Sequence, residues 1–354
     1  MSLLFIVVVL LCIYVLLFEF INWFHDTANA VATVIYTRAL KPKWAVLWSW
    51  LWNLLWVILG GIGVAISIAN LLPLAALQQN SFTLKAAFFL SLLLSSIIWN
   101  IVTWYRGLPC SSMHALIWSM LGVSLAYVVA WHMAWWWIPW HKLEEVLLSL
   151  LISPLVWFAA TMIWTSLLSR FGNKHTFFCE PWDRPPVWWM RAILISTCTA
   201  VSFAHGSNDG QKGIGIMMAI LVVFLPHAFN MNNAPAWVIG SVALVLWVGT
   251  MIGWKRIVVT IGEKIGKHHM TYGQGAMAEI VAAWTISLSS AVGLPVSTTH
   301  VLSSGVAGSM AARWWMKDLQ MDTVKHIALA WILTLPVTMI AGFILYFAAV
   351  WYVG

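Results

Sequence analysis

Gly107 to His114 reads GLPCSSMH and Gly293 to His300 reads GLPVSTTH, and ahead of each lies a second polar signature, FHDTANAVAT over 24–33 and AHGSNDGQKG over 204–213. The order is the same in both halves. Asp26 precedes His114 by 88 residues and Asp209 precedes His300 by 91, so the chain is a duplicated unit with nearly matched internal spacing. Each signature sets polar, Gly- or Pro-bearing residues between long apolar runs, the mark of interrupted membrane helices around a central binding site. The pattern points to a transporter.

Composition leads to the same class: 62% of the 354 residues are hydrophobic and 8% charged, a balance that excludes a soluble domain. A membrane-spanning helix needs about 20 apolar residues, and roughly ten such stretches occur, near 3–22, 46–69, 86–104, 115–138, 147–168, 190–204, 237–254, 276–292, 301–312 and 327–350. A shorter run, 214–226, continues the helix that the second signature interrupts. The expected fold is an all-α membrane protein, an inverted repeat of two five-span halves with broken helices or re-entrant segments at the signatures. Residues 1–172 form the first repeat, 173–187 a cytoplasmic linker and 188–354 the second repeat. The first run lacks a basic n-region and a small-residue cleavage site, so it reads as a retained span.

Alternating loops place fifteen basic residues, from Arg38, Lys41 and Lys43 through Arg256 to Lys325, on one side and only Lys85 and Lys142 on the other. Positive charge collects in cytoplasmic loops, which puts both termini outside the cytoplasm in a plasma (inner) membrane. Five spans per half make the second half enter from the opposite face. The net charge of +7 is accounted for by these loops and anionic lipid, without nucleic acid. Cys12, Cys110, Cys179 and Cys198 show no CxxC or Cys/His spacing and read as packing residues. The 27 tryptophans, dense at Trp131, Trp135, Trp136, Trp137 and Trp140, exceed what an interfacial belt explains.

Ionisable residues at membrane depth are costly unless they face a partner or a cavity. Asp26 has Asn22, His25, Thr27 and Asn29 within two turns. The second copy supplies Asn208, Asp209, Gln211 and Lys212, with glycines that permit a helix break and close backbone approach. Aligned on the two aspartates, His25 matches Asn208 and Asn29 matches Lys212, so the halves are alike in placement but not in charge. Lys212, broken-helix dipoles and the hydroxyls Ser111, Ser112, Ser297, Thr298 and Thr299 suit an anion. Asp26 and Asp209 suit protons, Na+ or a divalent metal that would neutralise them as the anion binds. His114 and His300 are candidate proton shuttles, and Glu279 and Glu19 are further intramembrane carboxylates.

FHDTANA, AHGSNDGQKG and the paired GLPxSS/TxH segments resemble the inorganic phosphate transporter family, and most closely its bacterial low-affinity branch. The likeness extends to IIWNIVTWYRGLPCSSMH (97–114), GTMIGWKRIVVTIGEKIGK (249–267) and GLPVSTTHVLSSGVAGSM (293–310), and so covers most of the chain. It implies that the signatures form a phosphate and cation site at the centre of an inverted repeat. Thr27, Asn29, Ser111, Ser112, Asn208, Gln211, Lys212, Ser297, Thr298 and Thr299 would bind phosphate. Asp26, Asp209, His25, Glu279, His114 and His300 would serve cation or proton coupling, with Asp26 and Asp209 the ligands for a metal. His25 stands where the wider family signature has Asn, which favours protons over Na+. The connection 227–236 is short where relatives in the branch can carry a long insert.

The resulting expectation is a symporter that moves phosphate with H+, with Na+ coupling and another oxyanion such as sulfate or arsenate as the alternatives. Mg2+ or another divalent metal could accompany phosphate, no resident cofactor is called for, and a homodimer is allowed. No nucleotide-binding motif is present, so an ion gradient must drive it. An enzyme would need a base and nucleophile that cannot be assigned.

Overall fold

A computed structural model describes residues 3–131, 136, 138–171, 177–179, 181 and 185–353. Trp135, Trp137, Lys174, Arg184 and most of the linker expected over 173–187 lie outside the described residues. The first half contains α1 (Leu3–Tyr36), α2 (Pro42–Leu59), α3 (Gly63–Ala69), α4 (Leu74–Gln78), α5 (Phe82–Tyr105), α6 (Ser112–Ala130) and α7 (Trp140–Phe171). The second contains α8 (Trp188–Asn208), α9 (Gln211–Phe224), α10 (Ala236–Ile252), α11 (Lys255–Val259), α12 (Tyr272–Ala291), α13 (Thr298–Trp314) and α14 (Met321–Val353). A π-helical turn, Thr260–Lys264, extends α11.

Helices α1, α5, α6, α7 and α14 are each long and apolar enough to cross a membrane. Two bent pairs bring the number to seven: α2 with α3, bent by 74°, and α10 with α11 and the π turn, bent by 57°. Helices α8 and α12, which carry or adjoin polar signatures, fall short of that apolarity, and α13, at 17 residues, falls short of that length. The chain is a multi-pass membrane protein.

The packing pairs recur between halves. Helix α14 lies on α6 as α7 lies on α13, α2 on α8 as α10 on α1, and α5 on α6 as α12 on α13. Each half therefore sends its last helix across to the other. One apolar core gathers Phe18, Phe88, Phe89, Tyr127 and Tyr346, and a second gathers Val31, Ile257, Tyr272, Ala282 and Val306. Lipid tails are as apolar as leucine, so helices associate through close packing and polar contacts rather than hydrophobic force. Glycine supplies that closeness: a Cβ at Gly206 would sit 2.5 Å from the Asn53 carbonyl oxygen, and one at Gly213 would sit 2.5 Å from Glu19 Cγ.

Of the four signature segments, the two GLP copies carry the helix breaks expected of all of them. Helix α1 runs unbroken for 34 residues through FHDTANA, because no Gly or Pro occurs between Leu3 and Tyr36. Only Asp209 and Gly210 separate α8 from α9, and both keep right-handed helical dihedrals. Full interruptions come at the GLP segments. There Leu108 N–H bonds to Thr103 O (3.0 Å) and Gly107 N–H to Trp104 O (2.9 Å), and Leu294 and Gly293 repeat the pattern on Ser289 O (2.8 Å) and Ser290 O (3.0 Å). This is a Schellman ending, and it requires the positive φ seen at Gly107 (67°) and Gly293 (69°). The following Pro then prevents helix from resuming at once.

Candidate functional site

On an α-helix, positions four and seven apart share a face, and Asn22, Asp26, Asn29 and Thr33 accordingly line one side of α1. His205, Asp209 and Lys212 do the same across the α8–α9 junction. The two rows meet the N-termini of α6 and α13. Asp26, His205, Asp209 and Lys212 are all at most 1% exposed.

Lys212 is the hub. Its Nζ lies 2.8 Å from Asp209 Oδ1 and 3.2 Å from Asp26 Oδ2, and it donates to Ser112 Oγ at 2.7 Å and Asn22 Oδ1 at 3.3 Å. His205 Nε2 lies 2.7 Å from Asp209 Oδ2 and 3.9 Å from Asp26 Oδ2, with its ring stacked on Trp23. The Thr298 hydroxyl donates to Asp209 Oδ2, and Asn29 Nδ2 donates to Thr299 Oγ1 at 2.9 Å. Both halves thus contribute to one ion-pair network. Two carboxylates face one ammonium, which leaves a negative charge that a protonated His205 or a bound cation would balance. A buried, uncompensated charge costs several kcal/mol, of order 3–5 when one partner of a buried pair is lost.

Ligand atoms of Asp26, His205 and Asp209 lie within 4.8 Å of one another, close enough to hold one metal ion. Imidazole suits transition metals, while Na+ and Mg2+ prefer oxygen. The donor set therefore fits a proton on His205, or a transition metal, better than an all-oxygen cation site.

The remaining expected residues divide in two groups. Ser111 and Ser297 act as helix caps, each accepting from the backbone N–H three residues on, His114 or His300, at 3.1 Å. Asn208 holds the second GLP segment, donating to Leu294 O (3.2 Å) and accepting from Val296 N–H (3.3 Å). Gln211 donates to Ser207 O (2.6 Å) and accepts from Ala65 N–H (3.0 Å). All four side chains are thus engaged with backbone groups.

Others lie off the cluster altogether. Thr27 donates to Trp23 O at 2.8 Å within its own helix, the usual alternative for a membrane hydroxyl. His25, one residue from Asp26 and so on another face, reaches Asn100 O on α5 at 3.0 Å. Glu279 accepts from Thr33 and Thr197 in a separate buried cluster. The rings of His114 and His300 lie tilted against each other with centroids 4.3 Å apart, His300 stacks on Trp331, and both line a largely apolar cavity of about 550 Å³. Glu19, expected near a helix end, is fully buried mid-helix because α1 is longer than its apolar run, and it accepts from Asn22 at 3.3 Å. His205 is the residue that sequence reasoning missed. Its signal was present: it stands four residues before Asp209, opposite Asn22 in the alignment of the signatures.

Residues 22–342 match the model of the phosphate transporter family. The low-affinity inorganic phosphate transporter of Buchnera aphidicola subsp. Acyrthosiphon pisum is 34% identical over 95% of both chains. Its counterpart PitB of Escherichia coli is 32% identical over 95% of both, and a probable low-affinity inorganic phosphate transporter of Bacillus subtilis is 33% identical over 98% of both. A solved structure titled the sodium-dependent phosphate transporter shares the fold, with a TM-score of 0.79 at 20% identity over 97% of this chain and 98% of that one. With the signatures joined in one buried cluster and the family match running through both of them, the chain belongs to the phosphate transporter family.

Proposed function

We propose that the chain is a low-affinity symporter that carries inorganic phosphate with protons. Family membership makes it a transport protein and not an enzyme. The observation that supports coupling is the position of Lys212, held between Asp26 and Asp209 and against Ser112. Phosphate and the two carboxylates compete for one ammonium. A proton or cation that neutralises Asp26, Asp209 or both releases Lys212 to the anion, so each ligand raises the affinity for the other, as linkage demands. Ser112, Thr298, Thr299 and Asn29 then complete the phosphate shell.

The halves form an inverted repeat of five spans each, a reading supported by the exchanged packing of α7 with α13 and α14 with α6. Basic residues put both termini outside the cytoplasm, and rocking of one bundle against the other exposes the site to each face in turn. The protein sits in the inner membrane.

Radiolabelled phosphate uptake into proteoliposomes tests this, with proton and Na+ gradients imposed separately and Mg2+ present or absent. Uptake should follow an inward proton gradient in Na+-free medium and collapse with a protonophore. Strict Na+ dependence with no protonophore effect at clamped potential would overturn proton coupling and leave the phosphate site standing. A strict Mg2+ requirement would make the metal complex the cargo, and stronger uptake of sulfate than of phosphate would overturn the substrate.

A further inference from the structure

The stretch GTMIGWKRIVVTIGEKIGK contributes nothing to the ion-pair cluster, yet it builds the bend between α10 and α11 and the π turn that follows. Single π-helical turns occur frequently at functional sites. This arm is fastened to the end of α5 and to Gly107, where the first GLP segment starts. Thr260 Oγ1 donates to Gly107 O at 2.7 Å, Arg256 Nη1 donates to Tyr105 O at 2.7 Å, and Trp104 Nε1 donates to Gly253 O at 2.8 Å. The Arg256 guanidinium also lies 5.1 Å from the ring centroids of both Trp104 and Tyr105. Tyr36 OH, at the end of α1, donates to Glu263 at 2.9 Å, and the Tyr36 ring fills the space where a Cβ on Gly262 would lie.

Five residues beyond Gly107, Ser112 accepts from Lys212. The arm of the second half is therefore linked by one short, Pro-stiffened segment to the hub of the site.

The other bent pair makes the equivalent contact in reverse. Helix α3 of the first half lies against the second GLP segment, where a Cβ on Gly293 would sit 3.5 Å from Gly63 O and 3.6 Å from Ser67 Oγ. That contact is van der Waals only: among the described residues, no hydrogen bond joins α3 to residues 293–297. The two arms are unequal.

We infer that the α11–π arm is the gate on the face bearing Lys255, Arg256, Lys264 and Lys267, with Thr260 and Arg256 as its latch, and that α3 is the weaker gate on the opposite face. Opening the latch frees Gly107 to Ser112 and presents Lys212 to the basic face. Because the opposite contact has no comparable bonds, the ligand-free protein rests with the basic face shut. Calling that face cytoplasmic rests on the orientation proposed above; the gate itself does not.

Cys110 is a native reporter, fully buried between Pro109 and Ser111. In a protein with Cys12, Cys179 and Cys198 replaced by alanine, a charged, membrane-impermeant methanethiosulfonate is applied to each face using vesicles of both orientations. A hydrogen bond contributes about 0.5–1.5 kcal/mol net, so Thr260→Val should raise Cys110 modification from the basic face by roughly two- to tenfold. Thr260→Ser, which keeps the donor, should leave the rate unchanged. Tyr36→Phe, a milder change at the edge of the arm, should give a smaller rise. An unchanged rate in both Thr260→Val and Tyr36→Phe would overturn the gate, and so would an equal rise from both faces, which signals general loosening. This readout needs no phosphate, so its failure is separate from failure of the transport reading.

Discussion

At the scale of residues, buried charge in this protein is organised by pairing, and the pairs are shared among helices of both halves. Asp209→Asn keeps shape and removes one charge from the network. Lys212 retains Asp26 at 3.2 Å, so the variant should purify as a single folded species while phosphate uptake is lost. Uptake within twofold of the parent would remove Asp209 from the coupling site. Lys212→Gln should weaken phosphate binding by about 1.5–3 kcal/mol, the usual contribution of a hydrogen bond to a charged group, read as a shift in half-saturation for uptake. An unchanged half-saturation would exclude a phosphate contact. Thr27→Ala makes a useful contrast, since its hydroxyl bonds only to its own helix. It should transport normally, whereas Thr298→Ala, which deprives Asp209 of a donor, should not.

At the scale of elements, the two GLP turns do the work that broken signature helices were expected to do. Each ends a helix with a glycine in the left-handed region, then uses Pro and a capping serine to start the next helix with its N-terminus at the cluster. Gly107→Ala meets only ordinary contacts, the nearest at 3.7 Å, so its cost is conformational, about 1–2 kcal/mol. Gly240→Ala lies inside α10 with nothing within 4 Å of the new methyl and should gain about 0.5–1 kcal/mol. Thermal melts in one detergent should therefore move in opposite directions for the two substitutions. A Gly107→Ala protein as stable as Gly240→Ala would mean that the turn tolerates another conformation.

At the scale of the molecule, the orientation proposed from the distribution of Lys and Arg can be tested directly. A cysteine placed at Gln78, beside the end of α4, should react with an impermeant thiol reagent in intact cells, while native Cys179 should react only after the membrane is opened. Reaction of both in intact cells would contradict the charge count. Exposed tryptophans at or near helix ends, including Trp44, Trp136, Trp188 and Trp351, fit interfacial anchoring; the structure supplies no reason for the rest of the excess.

Membrane class, the duplicated signatures, the helix interruption at each GLP and the charge of Asp26, Asp209 and Lys212 at membrane depth were legible in the sequence. Each rests on local or periodic rules: apolar length, the proline that stops a helix, and the high cost of charge at depth. Helix face was legible too: positions three and four apart along α1 and α8 set His205 on the side of Asp209, and turn His25 and Thr27 away from the side of Asp26. What the tertiary structure alone decided is which polar groups meet. Asn29 finds Thr299 across 270 residues, Lys212 spans Asp26 and Ser112, and Asn208 and Gln211 turn out to hold backbone. Serine, asparagine and glutamine bond equally well to ligand, side chain or main chain, so their partner is set by the approach of helices distant in sequence. The same holds for the α11–π arm, because the bonds from Arg256 to Tyr105 and from Thr260 to Gly107 exist only where the halves interlock.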